Sequence, residues 1–153
     1  MDTHDPAASA VNAAMLSLDD IDAVQLGETP YEFEYILDDG RHTGVFLSVY
    51  GSQTNRVQSA INALNNERRK QQAVADAAAA ASGGEVTVRP VEEDQEHGKR
   101  LAAVRLAGWR GLKDKFTEAN ALRLCKVNAD IAAVVVQKAN NIGNFMKVSL
   151  PKP

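Results

Sequence analysis

In two short runs the chain alternates apolar and polar residues. Tyr31, Phe33, Tyr35 and Leu37 are separated by Glu32, Glu34 and Ile36, and Val45, Leu47 and Val49 are followed or separated by Phe46, Ser48 and Tyr50. A period of two places each set on one face of a strand. Between the runs lies Asp38-Asp39-Gly40-Arg41-His42, and Asp-Gly supplies the positive φ that a tight turn demands. The pattern predicts a β-hairpin over 31–51. A two-stranded hairpin is marginal alone, so it must pack on a helix, a third strand or a neighbouring subunit. A free strand edge is also a site for assembly.

The period then changes. Ser52 or Thr54 can cap a helix, and no Gly or Pro interrupts the chain from there to Ala81. Val57, Ala60, Ile61 and Leu64 share one helical face. Beyond Arg68 the pattern fades into Ala73–Ala81, which has high helix propensity and little to bury. The long helix of 52–81 is expected to extend past the body, and Ser82-Gly83-Gly84 stops it. Glu85–Arg89 reads as a short strand or a linker. Pro90 suits the first turn of the next helix, with Glu92, Glu93 and Asp94 at its positive end. Leu101 and Val104 share its face, and Gly108-Trp109-Arg110-Gly111 is expected to close it and turn the chain. Thr117 caps Glu118–Lys126, which buries Ala121, Leu122 and either Cys125 or Leu124. Asn128 caps a last helix, Ala129–Lys147, with a stripe of Ile131, Val134, Val135, Ile142, Phe145 and Met146.

The expected class is therefore α+β, an N-terminal β-hairpin followed by a mainly α-helical domain. Residues 31–147 form one domain, with its helical part over 90–147, and 148–153 form a terminal stub. Residues 1–30 read as an acidic, flexible arm, with six acidic side chains and no Lys or Arg.

Composition narrows the function. Hydrophobic residues make up 44% of the 153 and charged ones 24%, a balance that can fill a core. Aromatic residues are 5% and the net charge is −3. Stacking on single-stranded nucleic acid needs several exposed rings, and gripping phosphates usually needs a basic excess. Nucleic acid is thus an unlikely partner. The single cysteine, Cys125, makes no internal disulfide, which is consistent with a reducing compartment. The first thirty residues lack the basic start and apolar core of a secretory signal, and no apolar run approaches the roughly 20 residues that span a bilayer. The expected location is the cytoplasm, without membrane association.

Candidate chemistry is sparse. His4, His42 and His97 show no metal-ligand spacing, and no phosphate loop or nucleophile elbow occurs. Glu92, Glu93, Asp94 and Glu96 form a dense run that reads as a solvated face. No catalytic, metal or cofactor site is expected, so the chain reads as a binding protein and not an enzyme. Two basic clusters stand out. Arg68-Arg69-Lys70 lies late in the long helix, and Arg110, Lys113 and Lys115 surround the Trp turn. Each reads either as solubility and helix-end charge or as a surface for an acidic partner, this chain's own arm included. Trp109 is either a plug where helices meet or a partner-facing hot spot.

The order of small motifs carries a resemblance. Gly108-Trp109-Arg110-Gly111 is followed by Phe116-Thr117-Glu118-Ala119-Asn120-Ala121 with Leu124. Then come Ile131, Val135, Ala139-Asn140 and Asn144-Phe145. This order resembles tail assembly chaperones of long-tailed bacteriophages and related prophages. Upstream, Phe33-Glu34-Tyr35, Thr43-Gly44-Val45 and Val49-Tyr50-Gly51 resemble the hairpin that opens those proteins. The resemblance covers Tyr31 to Lys147; the acidic arm and the Ala-rich Gln72–Ala81 tract depart from it.

What the resemblance implies is a protein that binds the tape measure protein in the host cytoplasm. It keeps that long helical client soluble and helps tail tube (major tail) protein polymerise around it. It is then absent from the mature virion. Self-association fits the same role. On this reading Trp109, Ile142, Phe145 and Met146 are candidate protein-binding residues, and Arg68, Arg69 and Lys70 candidate electrostatic contacts. Met suits a client of varied surface. The competing readings are a structural minor tail or head–tail joining protein, and a small DNA-binding regulator using Arg68–Lys70, for which the Thr117–Met146 helix pair is the candidate helix-turn-helix.

Overall fold

A computed structural model describes residues 15–84 and 89–153. The fold is α+β. After a 3-10 turn at Asp19–Ile21 come α1 (Ala23–Leu26), β1 (Tyr31–Ile36), β2 (His42–Val49) and α2 (Asn55–Ala81). Then follow α3 (Val91–Ala103), β3 (Leu106–Arg110), α4 (Glu118–Val127), α5 (Ala129–Asn140) and a second 3-10 turn at Ile142–Asn144.

The hairpin forms as its alternation predicts. Tyr31 pairs with Val49 and Phe33 with Leu47, and these residues, with Tyr35 and Val45, face the core. The partner it needs is a third strand: β3 lies antiparallel to β2, giving the order β1-β2-β3. The expectation that Gly108-Trp109-Arg110-Gly111 closes a helix and turns the chain is therefore corrected. That helix ends at Ala103, and Gly108–Arg110 are strand. Ser48 pairs with Gly108 but Val49 with Leu106, so Ala107 is an extra residue. Such a bulge flips the alternation, and Leu106 and Trp109, three positions apart, come to the same side as their partners Val49 and Leu47.

One face of the sheet is covered by helices. α5 contacts both β1 and β2, and α3, α4 and α5 pack on one another. The core joins Phe33, Leu47, Val49 and Leu106 from the sheet to Ala102, Ala121, Cys125, Ile131, Val135 and Ala139 from the helices. The caps act as the sequence predicts. Thr117 Oγ1 accepts from the Asn120 N–H, and Asn128 Oδ1 accepts from the Ile131 N–H. Thr54 Oγ1 accepts from the Val57 N–H and donates to the Gly51 carbonyl.

Three further expectations change. The last helix does not run to Lys147. It ends at Asn140, and the Asn141 side chain accepts from the Gly143 N–H to start the 3-10 turn. The arm of 1–30 docks over its last turn: Asp22 caps α1, Leu26 packs on the core, and the Gly51 N–H donates to the Gly27 carbonyl. A Cβ on Gly27 would lie 2.8 Å from Gly51 Cα, so two glycines are needed where these backbones cross. β1 stops at Ile36, one residue short of the predicted Leu37. Of the stretch read as strand or linker, residues 85–88 lie outside the described residues.

The long helix α2 spans 27 residues, about 40 Å at the α-helical rise. Val57 is its one buried residue among those described. Ser82 and the positive φ of Gly83 and Gly84 end it.

Candidate functional site

Trp109 reaches its position because β3 is a strand. It is half-buried, with its ring edge-on to Phe116 at 4.9 Å between centroids. It projects from the outer strand of the sheet, paired with Leu47, and packs against the edge of the core. Its indole N–H donates to the Asp114 carbonyl at 2.8 Å. The Asn120 side-chain amide donates to the Lys115 carbonyl at 2.8 Å. The 111–117 loop is thereby tied at two points, to the strand before it and the helix after it. Lys113 and Lys115 stay exposed on it. Phe116 precedes the N-cap of α4 in the chain, and its contact with Trp109 is not visible in the linear pattern.

The opposite face of the sheet is polar apart from Phe46 and, at the end of β1, Ile36. The Arg110 guanidinium lies 3.7 Å above the Phe46 ring and meets Glu32 with two of its nitrogens, the closest at 2.8 Å. This bond and the charge behind it hold Glu32 below the usual carboxylate range. Beside it, β2 carries two extra residues between His42 and Phe46, opposite Tyr35. Glu34 holds this bulge. One carboxylate oxygen meets the His42 ring at 2.8 Å, and the other accepts from the Gly44 N–H at 3.1 Å.

Those two bonds lower the Glu34 pKa. A depressed carboxylate stabilises the fold above its unfolded value and loses that stabilisation as protons are added. Stability from Glu34 is therefore fully present above about pH 4.5 and falls below it. Melting temperatures measured from pH 7 to 3 are expected to decline less steeply in Glu34→Gln than in the parent chain. Parallel curves would show that the bulge does not depend on the charge.

The other candidates separate. Phe145 is buried at 8% exposure, edge-on to Tyr31 at 6.2 Å, while Ile142 and Met146 beside it are half-buried. Trp109 and Phe145 thus belong to two different aromatic pairs. The basic cluster splits as well. Arg68 is half-buried and pairs with Asp94 of α3, whereas Arg69 and Lys70 are exposed. Arg68 lines a cleft between α2 and α3 with Arg89, His97, Arg100, Glu93 and Glu96. Its charges are matched: Arg89 meets Glu93, and Arg100 and Lys126 meet Glu96. His97 bonds Asn65 of α2 at 2.8 Å. Burial and the surrounding Arg68, Arg89 and Arg100 push its pKa down.

The Cys125 thiol is buried, which pushes its pKa up to about 11. A thiol so rarely ionised is a core group and not a nucleophile. Among the described residues no cluster of three His, Cys, Asp or Glu is placed to hold a metal ion, and no helix is long and apolar enough to cross a membrane. The exposed apolar surface lies elsewhere. Val74 is 71% exposed on the second half of α2, and Met15 and Leu18 are 80% and 84% exposed ahead of α1. No protein-family model, curated protein or solved structure matches the chain.

Proposed function

We propose that this protein is a tail assembly chaperone: it binds the helical tape measure protein, keeps it soluble and promotes tail tube polymerisation around it. The observation that carries the reading is α2, a helix of 27 residues in which Val57 alone is buried. Its later turns offer Val74, Ala75 and Ala78 along one side, beyond Glu67, Lys70 and Gln71 on the same face. A helix so little used by its own domain suits a client that is itself long and helical. Small side chains let two helices approach closely, and repeated weak contacts along one client add through avidity. The resemblance in motif order supports the same assignment. The host cytoplasm and absence from the finished particle follow from it.

Within this reading the client contact moves from Phe145, which is committed to the core, to α2 and the half-buried Trp109–Phe116 pair. The test is co-expression with a tape measure protein, followed by pull-down and a solubility assay. The parent chain is expected to hold the client in a soluble, multi-copy complex. Val74→Asp is expected to lose most of that retention at an unchanged melting temperature, because its side chain is exposed. A client that precipitates regardless, with this protein found in mature particles, would replace the chaperone with a structural tail component.

A further inference from the structure

The charges of this chain are unevenly distributed. Residues 1–30 carry six acidic side chains and no basic one, while residues 110–126 carry five basic and two acidic. Each also carries apolar groups that the fold does not bury.

On the acidic side, Met15, Leu16, Leu18 and Ile21 are 80%, 38%, 84% and 45% exposed, within seven residues of chain. They flank Asp19 and Asp20. The Asp20 carboxylate accepts from the Ser17 N–H at 2.9 Å, which fixes a turn. Neither aspartate meets a basic side chain among the described residues. On the basic side, Lys113 and Lys115 sit on the tied loop next to the Trp109–Phe116 pair, also without a carboxylate partner among the described residues. A half-exposed aromatic pair bordered by lysines suits a short apolar segment bearing carboxylates. Trp is the side chain most often found as an interface anchor, and the lysines would steer an acidic segment to it.

Among the described residues, the arm makes no hydrogen bond or ion pair with that loop. Its last turn is pinned by the Gly27–Gly51 crossing, near the Tyr31–Val49 end of the sheet. The hydrogen bonds of residues 15–22 are all local to the arm. Arg69 and Lys70 are a second exposed basic pair, but lie on the long helix without an aromatic neighbour.

We propose that the acidic apolar arm of one copy, Met15–Asp22, docks on the Trp109–Phe116 pair and the Lys113/Lys115 loop of a second copy. The contact joins two different surfaces, so it propagates to rings or open chains when it does not close on two copies. It does not depend on the identity of any client.

Trp109 is the one tryptophan in the chain, so its emission reports the docking directly. The experiment is sedimentation velocity of the full chain over a concentration series, with tryptophan emission recorded on the same samples at low and high salt. The expected result is concentration-dependent association, accompanied by a blue shift of the emission, both weakened by salt. Lys113→Glu with Lys115→Glu is expected to weaken association by about tenfold or more, and Asp19→Lys with Asp20→Lys to do the same. Combining all four restores it. Leu18→Ser weakens association without altering charge. Leu18, Asp19, Lys113 and Lys115 are exposed and Asp20 is half-buried, and circular dichroism confirms that each variant folds. A monomer at every concentration overturns the proposal. So does an emission shift without concentration dependence, which would place the arm on its own loop. Association lost in Arg69→Glu with Lys70→Glu but kept in the Lys113/Lys115 variant would also overturn it.

Discussion

Replacing Phe145 by Ser is expected to destabilise the whole domain by about 3–5 kcal/mol, the usual cost of removing a buried aromatic ring. Its ring is 8% exposed, packs edge-on to Tyr31 and lies beside Gly51, whose Cβ would stand 3.7 Å from Phe145 Cε2. It therefore holds together the start of β1, the entry to α2 and the turn after α5. A serine there leaves a cavity where those three elements meet and puts a hydroxyl into it. In a chain of this size the loss corresponds to a melting temperature lower by roughly 10 °C or more, read by circular dichroism. A melting temperature within about 2 °C of the parent would contradict the buried position and return Phe145 to the surface.

Gly111→Ala is the second large effect. Gly111 has φ +89°, and a Cβ there would lie 2.0 Å from the Gly44 carbonyl oxygen and 3.1 Å from Val45 Cα. Both obstacles are backbone atoms of the β2 bulge, so no side chain can rotate aside. That bulge is itself held by Glu34 through the Gly44 N–H. The expected cost is about 3 kcal/mol or more, combining the left-handed backbone penalty with displacement of β2 from β3. Gly40→Ala is the control: its φ is +87°, but nothing lies within 4 Å of the added Cβ. It is expected to lose only the conformational part, about 1–2 kcal/mol. Equal losses in urea unfolding of the two variants would show that the close approach of Gly111 to Gly44 contributes nothing.

The two substitutions also mark where linear pattern stops being informative. Phe145 falls in register with Ile131 and Val135 on an ideal helix, so its apolar character was legible but its surroundings were not. Whether it offers its ring to a client depends on Tyr31 and Gly51, more than ninety residues away in the chain. Trp109 stands in a strand where the linear pattern predicts a turn after a helix. One inserted residue at Ala107 spaces Leu106 and Trp109 by three, a spacing a strand without a bulge never shows on one face. The basic triplet at Arg68–Lys70 is continuous in sequence, yet a helix turns by about 100° per residue. Arg68 turns toward α3 while its neighbours face solvent.

The sequence by itself determined the elements whose cause is local. Alternation defined the hairpin and its buried face. The side-chain oxygens of Thr54, Thr117 and Asn128 set three helix starts, because each reaches only the N–H groups of its own first turn. Ser82-Gly83-Gly84 set the end of α2. The tertiary structure alone decided the third strand, the docking of the arm at Gly27, the early end of α5 and the burial of Phe145. Strand pairing, bulges and backbone crossings satisfy groups contributed by distant segments. Their energies appear only once β2 has β3 beside it and Gly51 has Gly27 against it.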